Sequence, residues 1–141
     1  MRIGLTLLIS ILSLTGCSEA TGPSNTHALD AVFPGEWRGS YPLGHLTLRV
    51  ARASSGSFAS FEGSATFAVT ETGETVTYRF SSFGHAESFS FLLYPDGAID
   101  QFPGGSGSLA SADTLILHWD EPLSGTHRSI MGKAERVILS R

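Results

Sequence analysis

Apolar and polar residues alternate with a period of two over most of the chain after residue 35, the pattern of strands with one buried and one wet face. In "EWRGSY", Trp37, Gly39 and Tyr41 oppose Glu36, Arg38 and Ser40. "HLTLRVA" puts Leu46, Leu48 and Val50 on one side. "SFASFEGSATFAVT" aligns Ala65, Phe67 and Val69, with its alternation shifting near Gly63, where a bulge or bend is expected. "ETVTYRFS" aligns Val76, Tyr78 and Phe80, and "ESFSFLLY" aligns Phe89, Phe91 and Leu93. "DTLILHWD" aligns Leu115, Leu117 and Trp119, and "AERVILSR" aligns Val137, Leu139 and Arg141. These are seven strong strands. A weak eighth is expected at Ala98 to Phe102, and the glycine-rich "PGGSGSLASA" from Pro103 to Ala112 reads as a flexible loop. Thr72-Gly73 and Asp96-Gly97 are hairpin signals, because glycine accepts the positive φ of tight turns. No segment carries a helical period longer than two turns.

Seven to eight antiparallel strands on short links predict an all-β meander. A meander of this size closes into an up-and-down barrel, which removes its edges, or stays open as a two-sheet β-sandwich.

The first thirty residues follow a different pattern. Ile3 to Leu14 is mostly apolar and follows Arg2, the only charge before Glu19. Twelve residues are too few to cross a bilayer as a helix, which takes about 20. They match the apolar region of a signal peptide. The run ends in Leu14-Thr15-Gly16-Cys17, which holds the chain's single cysteine. This tetrapeptide resembles the bacterial lipobox. The resemblance implies a diacylglycerol thioether on Cys17, cleavage before it, and a further acyl chain such as palmitate on its amine. Residues 1–16 are then the lipoprotein signal peptide. Residues 17–30 are the lipidated cysteine with a flexible tether, "SEATGPSNTHALD", and residues 31–141 are the β domain. Three acyl chains hold a protein at a membrane far more firmly than one, since each buried CH₂ contributes about 0.8 kcal/mol. In lipoproteins of this kind Asp after the cysteine favours the inner membrane. Ser18 stands there, so the resemblance implies the outer membrane of a cell envelope.

Lipidation also removes Cys17 from the redox and catalytic inventory, and the β domain must hold its fold without a disulfide. The chain has nine basic and thirteen acidic residues and a formal net charge of −4. Lys133 is the only lysine and the arginines are scattered. Nucleic-acid binding needs a basic stripe and a lipid-headgroup patch needs a basic cluster. The sequence offers neither.

A second resemblance concerns the β domain. Gly35-Glu36-Trp37-Arg38-Gly39, followed by a meander ending in Val137-Ile138-Leu139-Ser140-Arg141, resembles small lipocalin-like (calycin-type) barrels. There a Gly-x-Trp opens the first strand and an arginine on the last strand packs over the tryptophan. The resemblance implies that Arg141, or failing it Arg136, stacks on Trp37 and closes one barrel end. The second and third motifs of that group are not recognisable, and its C-terminal helix is missing.

The chemistry on offer is thin. His118 with Asp120, and His85 with Glu87, each share a strand face, so two His-x-acid pairs are the only metal candidates. Zinc needs three or four such groups converging at about 2.0–2.2 Å. No serine sits in a nucleophile elbow, and Gly104-Gly105-Ser106-Gly107 precedes no helix that would make it a phosphate loop. No cofactor and no catalytic residue is expected. The inward aromatics Phe67, Tyr78, Phe80, Phe89, Phe91 and Trp119 either fill the barrel or line an apolar ligand site. The reading is a membrane-anchored envelope lipoprotein that binds or supports rather than catalyses. Its partners are the membrane through the lipid, and an apolar small molecule or an envelope protein. The alternatives are a filled barrel acting as a protein-contact module, and an envelope enzyme or metal-binding protein using His118 and Asp120.

Overall fold

The computed structural model describes residues 26–54, 59–85, 87–96, 102–120, 122, 125–133 and 135–141. The lipobox, with Leu14, Thr15, Gly16 and Cys17, lies outside the described residues. A short helix α1 (Thr26–Val32) leads into β1 (Gly35–Tyr41), β2 (Gly44–Ser54), β3 (Ala59–Val69), β4 (Thr75–His85) and β5 (Ser88–Tyr94). The chain continues through β6 (Gly104–Ser111) and β7 (Thr114–Trp119). A second short helix, α2 (Gly125–Met131), precedes the last strand, β8 (Glu135–Ser140). Each strand pairs antiparallel with the next in sequence, and β8 returns to β1, so the eight strands form a closed up-and-down barrel. The closing seam is short: one register pair, Arg38 with Ser140, joins β1 to β8.

The period-two stripes point inward. Trp37, Leu46, Leu48, Phe67, Tyr78, Phe80, Phe91, Leu115, Trp119 and Leu139 are all buried. Gly73 takes a φ of 69° in the β3–β4 turn and donates its N–H to the Val69 carbonyl at 2.9 Å. That left-handed conformation is why Thr72-Gly73 marks a hairpin.

Three expectations are corrected. The glycine-rich stretch read as a loop is the strand β6. Its register sets Gly105 against Phe91 and Gly107 against Phe89, and a Cβ on Gly107 would collide with the Phe89 ring. The Phe89 ring fills the space at Gly107 and the β7 backbone at His118 and Trp119 crowds Gly105, so Leu109 is the one buried apolar side chain on this strand and no hydrophobic stripe is left to read. The weaker eighth strand expected at Ala98 to Phe102 falls mostly outside the described residues, and Phe102 precedes β6 without belonging to a strand. No bulge occurs at Gly63. It pairs in register with Val50 and with Phe80, and Phe61 continues the inward row of Ala65 and Phe67. The register shift of this hairpin falls between Arg52 and Ser54 instead.

The third correction concerns the segment read as tether through Asp30. It is helical from Thr26, and Leu29 is 1% exposed. The turn earns its place through tertiary contact: Leu29, Val32 and Phe33 share one face at helical spacing and pack on the barrel core. Pro34 follows and helps end the helix.

Candidate functional site

The two helices stopper the two ends of the barrel. At the β1-start end, the Phe33 ring enters the lumen. It stacks on Phe89 at 4.4 Å between centroids and meets Phe61 edge-on at 4.9 Å. At the other end, α2 turns His127, Ile130 and Met131 inward, again positions i, i+3 and i+4. Gly132, with φ of 80°, ends α2 and donates its N–H to the Arg128 carbonyl at 2.9 Å, a left-handed C-cap.

The polar tips of the interior aromatics tie these stoppers down. Trp37 Nε1 donates to the Phe33 carbonyl at 2.9 Å. Tyr41 donates its hydroxyl hydrogen to the Ile130 carbonyl at 2.7 Å, and Trp119 Nε1 donates to the Lys133 carbonyl at 3.1 Å. The Tyr78 hydroxyl sits 2.9 Å from His127 Nδ1. Both tryptophans and two of the three tyrosines thus bury an apolar body in the lumen and spend their single polar group on an end closure. Burial raises the Tyr78 phenol to a pKa of about 12, with smaller contributions from the charges of Glu74 and Tyr41, and burial also raises Tyr41.

The structure brings Trp37 and Arg141 together. The guanidinium carbon lies 4.6 Å from the indole centroid, a cation–π distance. The same guanidinium donates to the carbonyls of Val32 and Pro34, the latter at 2.8 Å. One side chain therefore covers the tryptophan and holds the end of α1. Arg136 sits opposite His118 on the far strand of the β7–β8 pair. Asp30 in α1 adds an ion pair to Arg52 at 3.0 Å.

Phe67, Tyr78, Phe80, Phe89, Phe91 and Trp119 all lie inside, and they touch one another. Phe67 meets Tyr78 at 5.6 Å and Trp119 at 5.9 Å, both edge-on, and Phe80 stacks on Phe91 at 5.6 Å. Ring contact across the lumen leaves these residues as packing for one another. Inside, the buried Ser82 hydroxyl has no hydrogen-bond partner among the described residues.

The His-x-acid pairs do not converge. His118 and Asp120 are both exposed. The register runs from His85 to Ser88, Ser108 and Ile116, so β4 and β7 stand three strand spacings apart, about 14 Å. Among the described residues no three His, Cys, Asp or Glu groups come together as a metal site.

What sequence reasoning missed lies outside the barrel. A groove of about 510 Å³ crosses the outer faces of β4 to β7. Its floor is a lattice of outward serines, Ser88 and Ser90 on β5 beside Ser106 and Ser108 on β6. Phe83 forms one rim and is 59% exposed; Ile116 and His118 form the other. The signal was present in the sequence, since "SFSF" and "GSGS" place two serines at successive outward positions on each of two strands. It becomes a surface only once those strands are neighbours. The β1–β2 side has the opposite character. There Glu36 accepts from Arg38 and from Arg49, each at 2.6 Å, and these bonds hold its carboxyl below the usual carboxylate range.

No protein-family model, no curated protein and no solved structure matches this chain.

Proposed function

We propose that this protein is a lipid-anchored lipoprotein of the bacterial envelope whose barrel is a contact module working from its outside, with no catalytic role. The observation that carries the reading is the closed lumen. Among the described residues a helix caps each end, with a groove of about 400 Å³ left between α2 and β4, and the aromatic side chains that would line a ligand site pack against each other instead. A carrier needs an apolar pocket with room for its ligand, so the filled-barrel alternative is the better supported of the two binding readings. The anchor is supported by Leu14-Thr15-Gly16-Cys17 after a short apolar run, and by Ser18 for the outer membrane. With α1 starting at Thr26, the stretch from Cys17 to α1 is about nine residues. It reaches at most about 30 Å, which keeps the barrel at the membrane surface. An enzyme or metal site on His118 and Asp120 draws no support from their placement.

Two measurements test the proposal. In the native host, the protein is expected in the detergent-soluble membrane fraction, and Cys17→Ser is expected to remain unprocessed and lose the lipid mass. A Cys17→Ser form that is processed and membrane-bound like the native chain overturns the anchor. Native mass spectrometry of the purified protein is expected to show no retained apolar small molecule, and a stoichiometric one overturns the contact-module reading.

A further inference from the structure

We infer that the serine-floored groove on the outer faces of β4 to β7 is a binding site for a neutral saccharide. The inference rests on the reading that the barrel works from its outside, and is independent of the anchor.

The first observation is charge. β5, β6 and β7 contain no Lys, Arg, Asp or Glu. In a chain with twenty-two charged residues, this leaves three consecutive strands without one. The neighbouring charges stand at strand ends or on the next strand: Glu87, Asp113 and Asp120, and Arg136 opposite His118. A charged partner would find no counter-charge on the groove floor and would lose hydration without compensation.

The second observation is the chemistry of the floor. Four hydroxyls project from two adjacent strands, spaced about 4.8 Å across the strands and about 6.8 Å along them. Each both donates and accepts. Acyl chains laid on this floor would strand those hydroxyls, at a cost of about 1–3 kcal/mol for each one left unpaired. A sugar ring instead meets them with hydroxyls of its own, and its C–H face suits the exposed ring of Phe83. His118 adds a donor or acceptor at the far rim.

The third observation is size. The groove is about three strand spacings wide and three residues long, roughly 150 Å² of surface. A stable dimer buries roughly 800 Å² on each partner, so the groove by itself is sized for a small ligand and not for a second copy. Its volume of about 510 Å³ lies in the range of small-ligand sites.

Calorimetric titration tests the inference. The full lipidated protein, in a detergent without a sugar headgroup, is titrated with N-acetylchitotetraose and with cellotetraose. Saturable binding of at least one is expected, weakened at least about tenfold by Phe83→Ala and by Ser106→Val. Both positions are exposed, so the melting temperature should stay unchanged in at least one variant. Absence of binding by both oligosaccharides overturns the inference, as does binding that neither substitution weakens. Self-association of the native protein that Phe83→Ala abolishes would give the face to a second copy and also overturn it. Uptake of an apolar fluorophore by the native protein in parallel would strike the filled-barrel reading, so the two failures are distinguishable.

Discussion

At the scale of single residues, the side chains that matter most carry one polar atom on a large apolar body. Tyr78 is fully buried, and its hydroxyl meets His127 in the end closure formed by α2. Its raised pKa has a direct consequence. The neutral phenol is favoured in the fold, so its contribution to stability is complete below the ordinary phenol pKa of about 10. It is lost as pH rises from there through about 12. The loss approaches about 3 kcal/mol at the upper end. Urea unfolding at successive pH values would show this extra alkaline destabilisation in the native chain, and Tyr78→Phe should remove it. An identical pH slope in both proteins would contradict the account. Arg141 shows the same economy: one guanidinium serves the Trp37 face and two carbonyls at the end of α1. The Gly-x-Trp and the terminal arginine were both legible in the sequence. The second duty of Arg141 was not, because it depends on a helix that the sequence pattern does not announce.

At the scale of elements, β6 is the instructive case. Alternation reveals a strand only when its inward side chains are themselves apolar. β6 turns Gly107 inward because the Phe89 ring on β5 takes its space, while a Cβ on Gly105 would collide with the β7 backbone at His118 and Trp119. Its stripe therefore sits on its neighbour, and it reads as a loop in isolation. Gly107→Val should then destabilise the barrel by about 3 kcal/mol, since its side chain would displace the Phe89 ring from its stack on Phe33. The combination with Phe89→Ala should cost clearly less than the two single changes together, the mark of residues sharing one volume. Strict additivity in chemical unfolding would show that the two do not compete for space. The helices were missed for a related reason. Two turns give only one inward triad each, Leu29 and Val32 with Phe33 just after α1, and His127, Ile130 and Met131 in α2. That is too little to stabilise a helix alone. Docking onto the barrel ends supplies what the local sequence lacks.

For the whole molecule, closure at both ends separates a filled barrel from a carrier. Phe33 is the test residue, since it is 0% exposed and touches Phe61, Phe80 and Phe89. Phe33→Ala should cost about 3–5 kcal/mol and leave an apolar void beneath α1. The variant, though not the native protein, should then take up an apolar fluorophore. Equal fluorescence from both would mean that Phe33 does not seal the lumen. The outer surface divides as sharply as the interior is uniform, with ion pairs over β1 and β2 and a neutral, hydroxyl-bearing face over β5 to β7. No single strand holds that contrast; it arises from the order in which the strands close the ring.

The sequence by itself determined the all-β class and the inward faces of seven strands. It also determined the Thr72-Gly73 turn and the pairing of Trp37 with a terminal arginine. Each of these is set by local alternation, by backbone freedom, or by a motif at fixed positions. Only the tertiary structure decided that the meander closes as a barrel, that the glycine-rich stretch is its sixth strand, and that the lumen is packed and stoppered. The same holds for the serines of β5 and β6 forming one floor. These depend on which side chains share a volume or a face across strands distant in sequence. Period two along one strand carries no information about volume on the next.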